Sequence, residues 1–179
     1  KADAAKVLAT YSDRMLKLME DPDKFYTPKL RPSGHDIGRG FAKDNGGAIP
    51  SNLLQIANTE SGGGYVAGCK LVDADRHPAR FPAKLPQFFI RFLTDPGDVV
   101  LDIFAGSNTT GQVAEAEGRR WMGFEERLDY LAASVFRFIP KEVGPDRLRE
   151  AHDRIKAGES VDLLDYRPQS ALDFRPAAE

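Results

Sequence analysis

A short apolar run that ends in a glycine bend limits the fold of this chain more than any other feature. Asp98-Val99-Val100-Leu101-Asp102-Ile103-Phe104 is nearly continuous in apolar side chains, and Ala105-Gly106-Ser107-Asn108 follows at once. A run without polar alternation predicts a strand buried on both faces. Asp95-Pro96-Gly97 sets it off with a turn signal. A helix is predicted from Thr109 to Glu117, with Gly118 as its stop, and a second strand from Arg120 to Glu125. Residues 126–138 and 145–157 read as helices, the latter opened by Pro145 and closed by Gly158, and Ser160 to Tyr166 reads as a third strand. Strand, helix, strand, helix, helix, strand over residues 98–166 predicts a parallel sheet wound in the Rossmann manner.

Upstream, Val7, Leu8, Tyr11, Met15, Leu18 and Met19 recur at helical spacing and predict an amphipathic helix over residues 3–20, ended by Pro22 and Pro28. Residues 24–52 show no period and read as a long loop of the kind that carries function. Residues 53–57 and 65–71 are candidate short strands. Leu85, Phe88, Phe89, Phe92 and Leu93 give a helix over 82–94 a broad apolar stripe. The tail after Arg167 is expected to be loose.

Composition narrows the function classes. The 179 residues suffice for one ordinary domain, and 41% apolar with 29% charged residues is a soluble, globular balance. No apolar run approaches the ~20 residues of a membrane span, and no signal peptide pattern stands at the start. A single cysteine, Cys69, excludes an internal disulfide and suits a reducing compartment. The net charge of −2 gives no hint of nucleic acid, so any such hint must be local. A start at Lys1, inside a predicted helix, is what a fragment, a processed chain or a chain with residues further upstream would give.

The bend at 105–108 lies where a strand hands over to a helix. Gly106 lets a ligand approach the backbone, and the helix start offers free N–H groups to an anion. Thr109 and Thr110 add hydroxyls, and Glu125 stands about 20 residues on, where an acidic side chain can accept two hydrogen bonds from a ribose diol. Spacing alone leaves two readings open: a nucleoside ligand, or an ordinary glycine turn beside a solvated glutamate. The dinucleotide pattern G-x-G-x-x-G is broken by Asn108, which disfavours NAD.

A third feature precedes both. His77-Pro78-Ala79-Arg80-Phe81-Pro82 stands directly before the apolar helix. Together, in this order and separation, the segments at 77–86 and 102–110 resemble the β-group of DNA amino-methyltransferases. Arg31-Pro32-Ser33-Gly34-His35-Asp36-Ile37, Asn45-Gly46-Gly47-Ala48-Ile49-Pro50, Asn58-Thr59 and Ser107-Asn108-Thr109-Thr110 are similar to the PvuII-type, cytosine-N4-specific enzymes of that group. The resemblance covers residues 1 to about 165. It implies a partial Rossmann-like S-adenosylmethionine-dependent methyltransferase fold, an α/β arrangement of parallel strands with flanking helices, plus an irregular N-terminal target-recognition region. Residues 1–76 would be the helix and DNA-facing region, 77–166 the S-adenosylmethionine-binding subdomain and 167–179 a tail.

The resemblance also implies roles. Phe81 and Pro82 would line the methionine end of S-adenosylmethionine. Asp102, Phe104, Gly106, Ser107, Thr109 and Thr110 would hold its amino-acid portion and sulfonium region, and Glu125 its ribose. Core packing is the competing role for Phe104, and loop capping for Asp102. Lys24, Lys29, Arg31, Arg39 and Lys43 put five positive charges against Asp36, with aromatic residues interleaved. From charge alone this is a solvated basic loop; the resemblance makes Lys29, Arg31, Ser33, His35, Arg39 and Lys43 candidates for contact with double-stranded DNA whose target base is flipped out. Metals and membranes are not implied.

The group that holds the target amine is absent from these residues. In the family a Ser-Pro-Pro-Tyr or Asp-Pro-Pro-Tyr segment does so, and Asp21-Pro22-Asp23-Lys24 and Asp95-Pro96-Gly97-Asp98 match neither. No catalytic residue is therefore assigned, and a missing N-terminal half or a partner chain is expected to supply it and to cover the edge of the first strand. The resemblance implies a cytosine-N4 DNA methyltransferase of a bacterial or phage restriction–modification system, acting in the cytoplasm on a CAGCTG-like site. An adenine-N6 enzyme and a non-catalytic cofactor- or DNA-binding fragment are the alternatives.

Overall fold

Seven helices and two strands run along the described residues: α1 (Asp13–Glu20), α2 (Pro22–Phe25), α3 (Gly64–Leu71), α4 (Lys84–Leu93), β1 (Val99–Asp102), α5 (Thr109–Ala116), β2 (Arg120–Gly123), α6 (Leu128–Ser134) and α7 (Pro145–Lys156). The structure, a computed structural model, describes residues 2–25, 39–58 and 63–166, the side chains of Phe25, Arg39 and Phe41 excepted. Contacts divide the chain into two units, Lys1–Leu54 and Gln55–Glu179.

In the first unit, the single helix expected over 3–20 is broken. Asp3 caps a 3-10 turn at Ala4–Val7, Ala9 exchanges two backbone hydrogen bonds of 2.9 Å with Ala48, and α1 starts only at Asp13. The cause is local: Ser12 Oγ accepts from Met15 N at 3.3 Å, so Ser12 opens a new helix inside the apolar periodicity. Beyond it, Asn45 N donates to the Tyr11 hydroxyl at 2.8 Å, and Tyr11 donates to Asp44 at 3.0 Å.

The second unit is built on β1 and β2, which pair in parallel with Val99 opposite Arg120, Val100 opposite Trp121, Leu101 opposite Met122 and Asp102 opposite Gly123. The crossover between them is α5, as the strand–helix–strand pattern predicts. Val100 and Trp121 turn toward α4 and α5, where Ile90, Val113 and Ala114 are buried. Arg91 grips Glu117 with two hydrogen bonds of 2.7 Å, and Gln87 adds a third at 2.6 Å, so α4 is tied to the end of α5. Arg119 continues the tie by donating to the Thr94 hydroxyl and carbonyl.

A larger core lies beside the sheet. Tyr65, Cys69, Phe136, Ile139, Leu148 and Tyr166 bring together α3, the 3-10 turn at Val135–Arg137, α7 and the 3-10 turn at Leu163–Tyr166. Two strand expectations fail here. Residues 64–71 are helical, and 160–166 end in a 3-10 turn whose Tyr166 hydroxyl donates to Glu150 at 3.0 Å. Short apolar runs carry no period that separates strand from helix. Residues 53–57 form no regular element.

Burial of β1 on both faces is also not found. Its residues alternate exposed and half-buried, with Leu101 60% exposed. Among the described residues β2 is its only strand neighbour, and one face of the sheet is uncovered: Val99, Leu101, Met122 and Phe124 are all more than half exposed. No helix of the described residues is long and apolar enough to cross a membrane.

Candidate functional site

At the end of β1 the chain reverses through a bend held almost entirely by its own polar groups. Phe104 N donates to Asp102 Oδ1 at 3.0 Å, and Ala105 N to the Phe124 carbonyl at 2.9 Å. Asp102 is thus a loop-orienting carboxylate in this conformation. Gly106 N donates to Glu125 Oε2 at 2.8 Å, while Arg127 N donates to Oε1 at 3.0 Å. The bend and the tip of β2 are therefore one constellation, joined by the acidic residue expected from spacing.

Gly106 sits at φ +53°, which favours glycine, and a Cβ there would stand 3.1 Å from the His77 ring and press on it. Asn108 also takes the left-handed conformation, with φ 56°, and its Oδ1 accepts from Gly111 N at 3.0 Å to cap α5. Asparagine tolerates that conformation better than other non-glycine residues.

The hydroxyls of this loop turn inward. Ser107 and Thr109 are 4% and 2% exposed, and their Oγ atoms lie 3.3 Å apart. Arg137 donates to the Ser107 carbonyl, to Ser107 Oγ at 2.9 Å and to Gln112 Oε1 at 2.9 Å. Its guanidinium lies over the Tyr65 ring, 4.7 Å from the centroid. Sequence spacing gave no sign of Arg137, which is 30 residues from the serine it holds. Phe104 is the opposite case: at 84% exposed it is no part of the core.

The His77–Pro82 segment runs alongside. His77 N donates to the Tyr65 hydroxyl at 2.9 Å, its Nδ1 is 3.1 Å from the Ala79 carbonyl, and its ring meets Tyr130 edge-on at 4.6 Å. Burial raises the Tyr65 phenol and the Cys69 thiol above their ordinary values, so both stay protonated at neutral pH. Pro82 is buried and Phe81 is 38% exposed. Phe81 lines a cleft of about 600 Å3 together with Tyr65, Arg80, Gln112 and Arg137, whereas Gly106 and Glu125 line another of about 310 Å3. The structure thus joins Asp102, Phe104, Gly106, Ser107, Thr109 and Glu125 in one loop system, and sets Phe81 in a separate cleft.

Of the candidates for DNA contact, Lys29, Arg31, Ser33 and His35, like Thr59 and the tail after Tyr166, lie outside the described residues. Arg39 opens a 3-10 turn ending at Ala42, its side chain undescribed, and Lys43 is exposed just after it.

A family model described as DNA methylase matches residues 5–136. The chain belongs to that family. Within it, this DNA methylase chain is 63% identical over 163 residues to the type II methyltransferase M.PvuII of Proteus hauseri, which covers 91% of the chain and 48% of that relative. The DNA adenine methyltransferase YhdJ of Escherichia coli is 43% identical over 63 residues, 35% of the chain and 21% of YhdJ. A solved PvuII DNA methyltransferase, cytosine-N4-specific, superposes with a TM-score of 0.62 at 57% identity, covering 64% of this chain and 41% of that one. The methyltransferase fold of parallel strands with flanking helices follows from this match. The chain spans about half the length of the first relative, and less of the others.

Proposed function

We propose that this chain is the cofactor-binding half of a site-specific DNA methyltransferase of a bacterial restriction–modification system, acting in the cytoplasm on the N4 amine of cytosine. One observation carries the proposal. The Asp102–Gly111 loop and Glu125 stand hydrogen-bonded together at the ends of two parallel strands, within the stretch that is 63% identical to M.PvuII.

The residues present fit S-adenosylmethionine. Each Glu125 oxygen accepts one backbone N–H and retains a second lone pair, so the half-exposed carboxylate can still receive both hydroxyls of a ribose. Gly106, buried with the His77 ring against it, lines the same cleft as Glu125. Ser107 and Thr109, whose hydroxyls are turned inward, would act through their backbone, and Thr110 through its half-exposed side chain. The exposed Phe104 would lie against the ligand and Asp102 would orient the loop, while Phe81 and Pro82, proposed for the methionine end, stand at a cleft separate from that of Glu125, with Pro82 buried. When bound, S-adenosylmethionine supplies an electrophilic methyl group. The protein's task is then alignment and exclusion of water around the attacking amine.

Lys29, Arg31, Ser33, His35, Arg39 and Lys43 are proposed to face the DNA, with the lysines and arginines neutralising phosphates. The amine-holding segment would come from a complementary half seated on the bare face of the sheet. Nucleosides from DNA methylated by the complete enzyme, analysed by mass spectrometry, test the reading: N4-methylcytosine is expected, and N6-methyladenine would transfer the chain to the adenine enzymes that YhdJ represents. The 179 residues alone are expected to leave DNA unmethylated, and robust transfer by them would refute the need for a second half.

A further inference from the structure

We infer that Arg137 is a positioning residue that presets the loop for its cofactor, an inference that rests on the reading of that loop as the S-adenosylmethionine site. The guanidinium is a rigid planar fork, and here it gives three hydrogen bonds around the bend. One branch of hydrogen bonds takes both the carbonyl and the Oγ of Ser107, and another takes Gln112 Oε1 on the first turns of α5. Loop and helix are thereby fixed to each other from behind. Gln112 Nε2 returns a bond to the Arg137 carbonyl at 3.4 Å, which closes the pair on itself.

Tyr65 sets the clamp in place. Its ring supports the guanidinium at 4.7 Å, and its hydroxyl accepts the His77 N–H at 2.9 Å. The His77 ring in turn lies against Gly106, at 3.1 Å from where a Cβ would be. The bend is therefore braced on Ser107 by Arg137 and on Gly106 by His77, and both braces meet at one tyrosine of α3. A loop held this way before the ligand arrives has less ordering to lose on binding. Three of the Arg137 donors go to Ser107 and Gln112, and its hold on the loop passes through Ser107.

The experiment is calorimetric titration of the 179-residue chain with S-adenosylmethionine for the wild type, R137K and R137Q, with amide exchange of residues 104–108 measured without ligand. R137Q is expected to weaken binding by about tenfold or more, the equivalent of one bond to a charged group. It is expected to speed exchange at 104–108 while the amides of α4 keep theirs. R137K retains the charge but not the fork, so it should fall between the two. Should R137Q fail to fold, R137K and its exchange profile carry the test. Wild-type affinity in folded R137Q and R137K, or loop exchange unchanged in both, overturns the clamp and leaves the cofactor reading standing. If the wild type binds no S-adenosylmethionine, the cofactor reading itself fails, and the exchange of the loop still decides whether Arg137 presets it.

Discussion

Asn108 shows how much one residue settles at this site. It accepts the left-handed conformation that the bend demands and caps α5 with the same side chain. Asn108→Ala loses both advantages and is expected to cost about 1–2 kcal/mol in urea unfolding. Asn108→Gly should cost only a few tenths, because glycine takes the conformation freely and is a tolerable cap. An alanine variant as stable as wild type would contradict this account of the bend. The position of the bend and of Glu125 at the end of the second strand was legible in the sequence, because strand ends and glycine turns follow local rules; the hydrogen bond that joins Gly106 to Glu125 was not. The inward turn of Ser107 and Thr109 was not. It depends on Arg137, and no local rule ties a serine to an arginine on another element.

Among the elements, α4 and α5 are joined by a titratable contact. The hydrogen bonds from Arg91 hold the Glu117 carboxyl below its ordinary value of 4.5, aided by Gln87 and the nearby Arg119 and opposed by partial burial. A depressed carboxyl stabilises the fold above the ordinary carboxylate range and loses that contribution as pH falls through its lowered value. Melting temperatures of the wild type and Glu117→Gln should therefore differ most near neutral pH and converge in acid below the ordinary carboxylate range. A difference that grows on acidification would contradict the contact. The helices α4, α5 and α7 and both strands were legible from periodicity and from Pro and Gly punctuation. The helix α3 was not: its buried Tyr65, Val66, Gly68 and Cys69 do fall at helical spacing, but eight residues that include Gly64 and Gly68 give a weak helical signal. The broken first helix follows the same logic in reverse: the cap at Ser12 overrides a period that runs on through it.

At the scale of the whole molecule, the sheet is unfinished within the described residues. Val99, Leu101, Met122 and Phe124 are more than half exposed on one face, and among the described residues β1 has no strand neighbour but β2. The continuous apolar run suggested burial on both sides, which is not found among the described residues; the proposed complementary half would be the second cover. Such a surface favours association. The 179 residues are expected to self-associate with rising concentration in sedimentation velocity. Leu101→Lys combined with Met122→Glu, an opposite-charge pair across the two strands, should suppress this with little change in melting temperature. A chain that stays monomeric without those changes would contradict the proposal that this face is a seat for the missing half.

The central claim is that the loop at 102–111 and Glu125 form an S-adenosylmethionine site. Calorimetric titration of the chain with S-adenosylmethionine, beside Glu125→Ala, tests it most directly. The account predicts one site per chain and an affinity about tenfold or more weaker in the variant, which loses charge-assisted bonds to the ribose. No binding by the wild type, or equal binding by a folded Glu125→Ala, would contradict it.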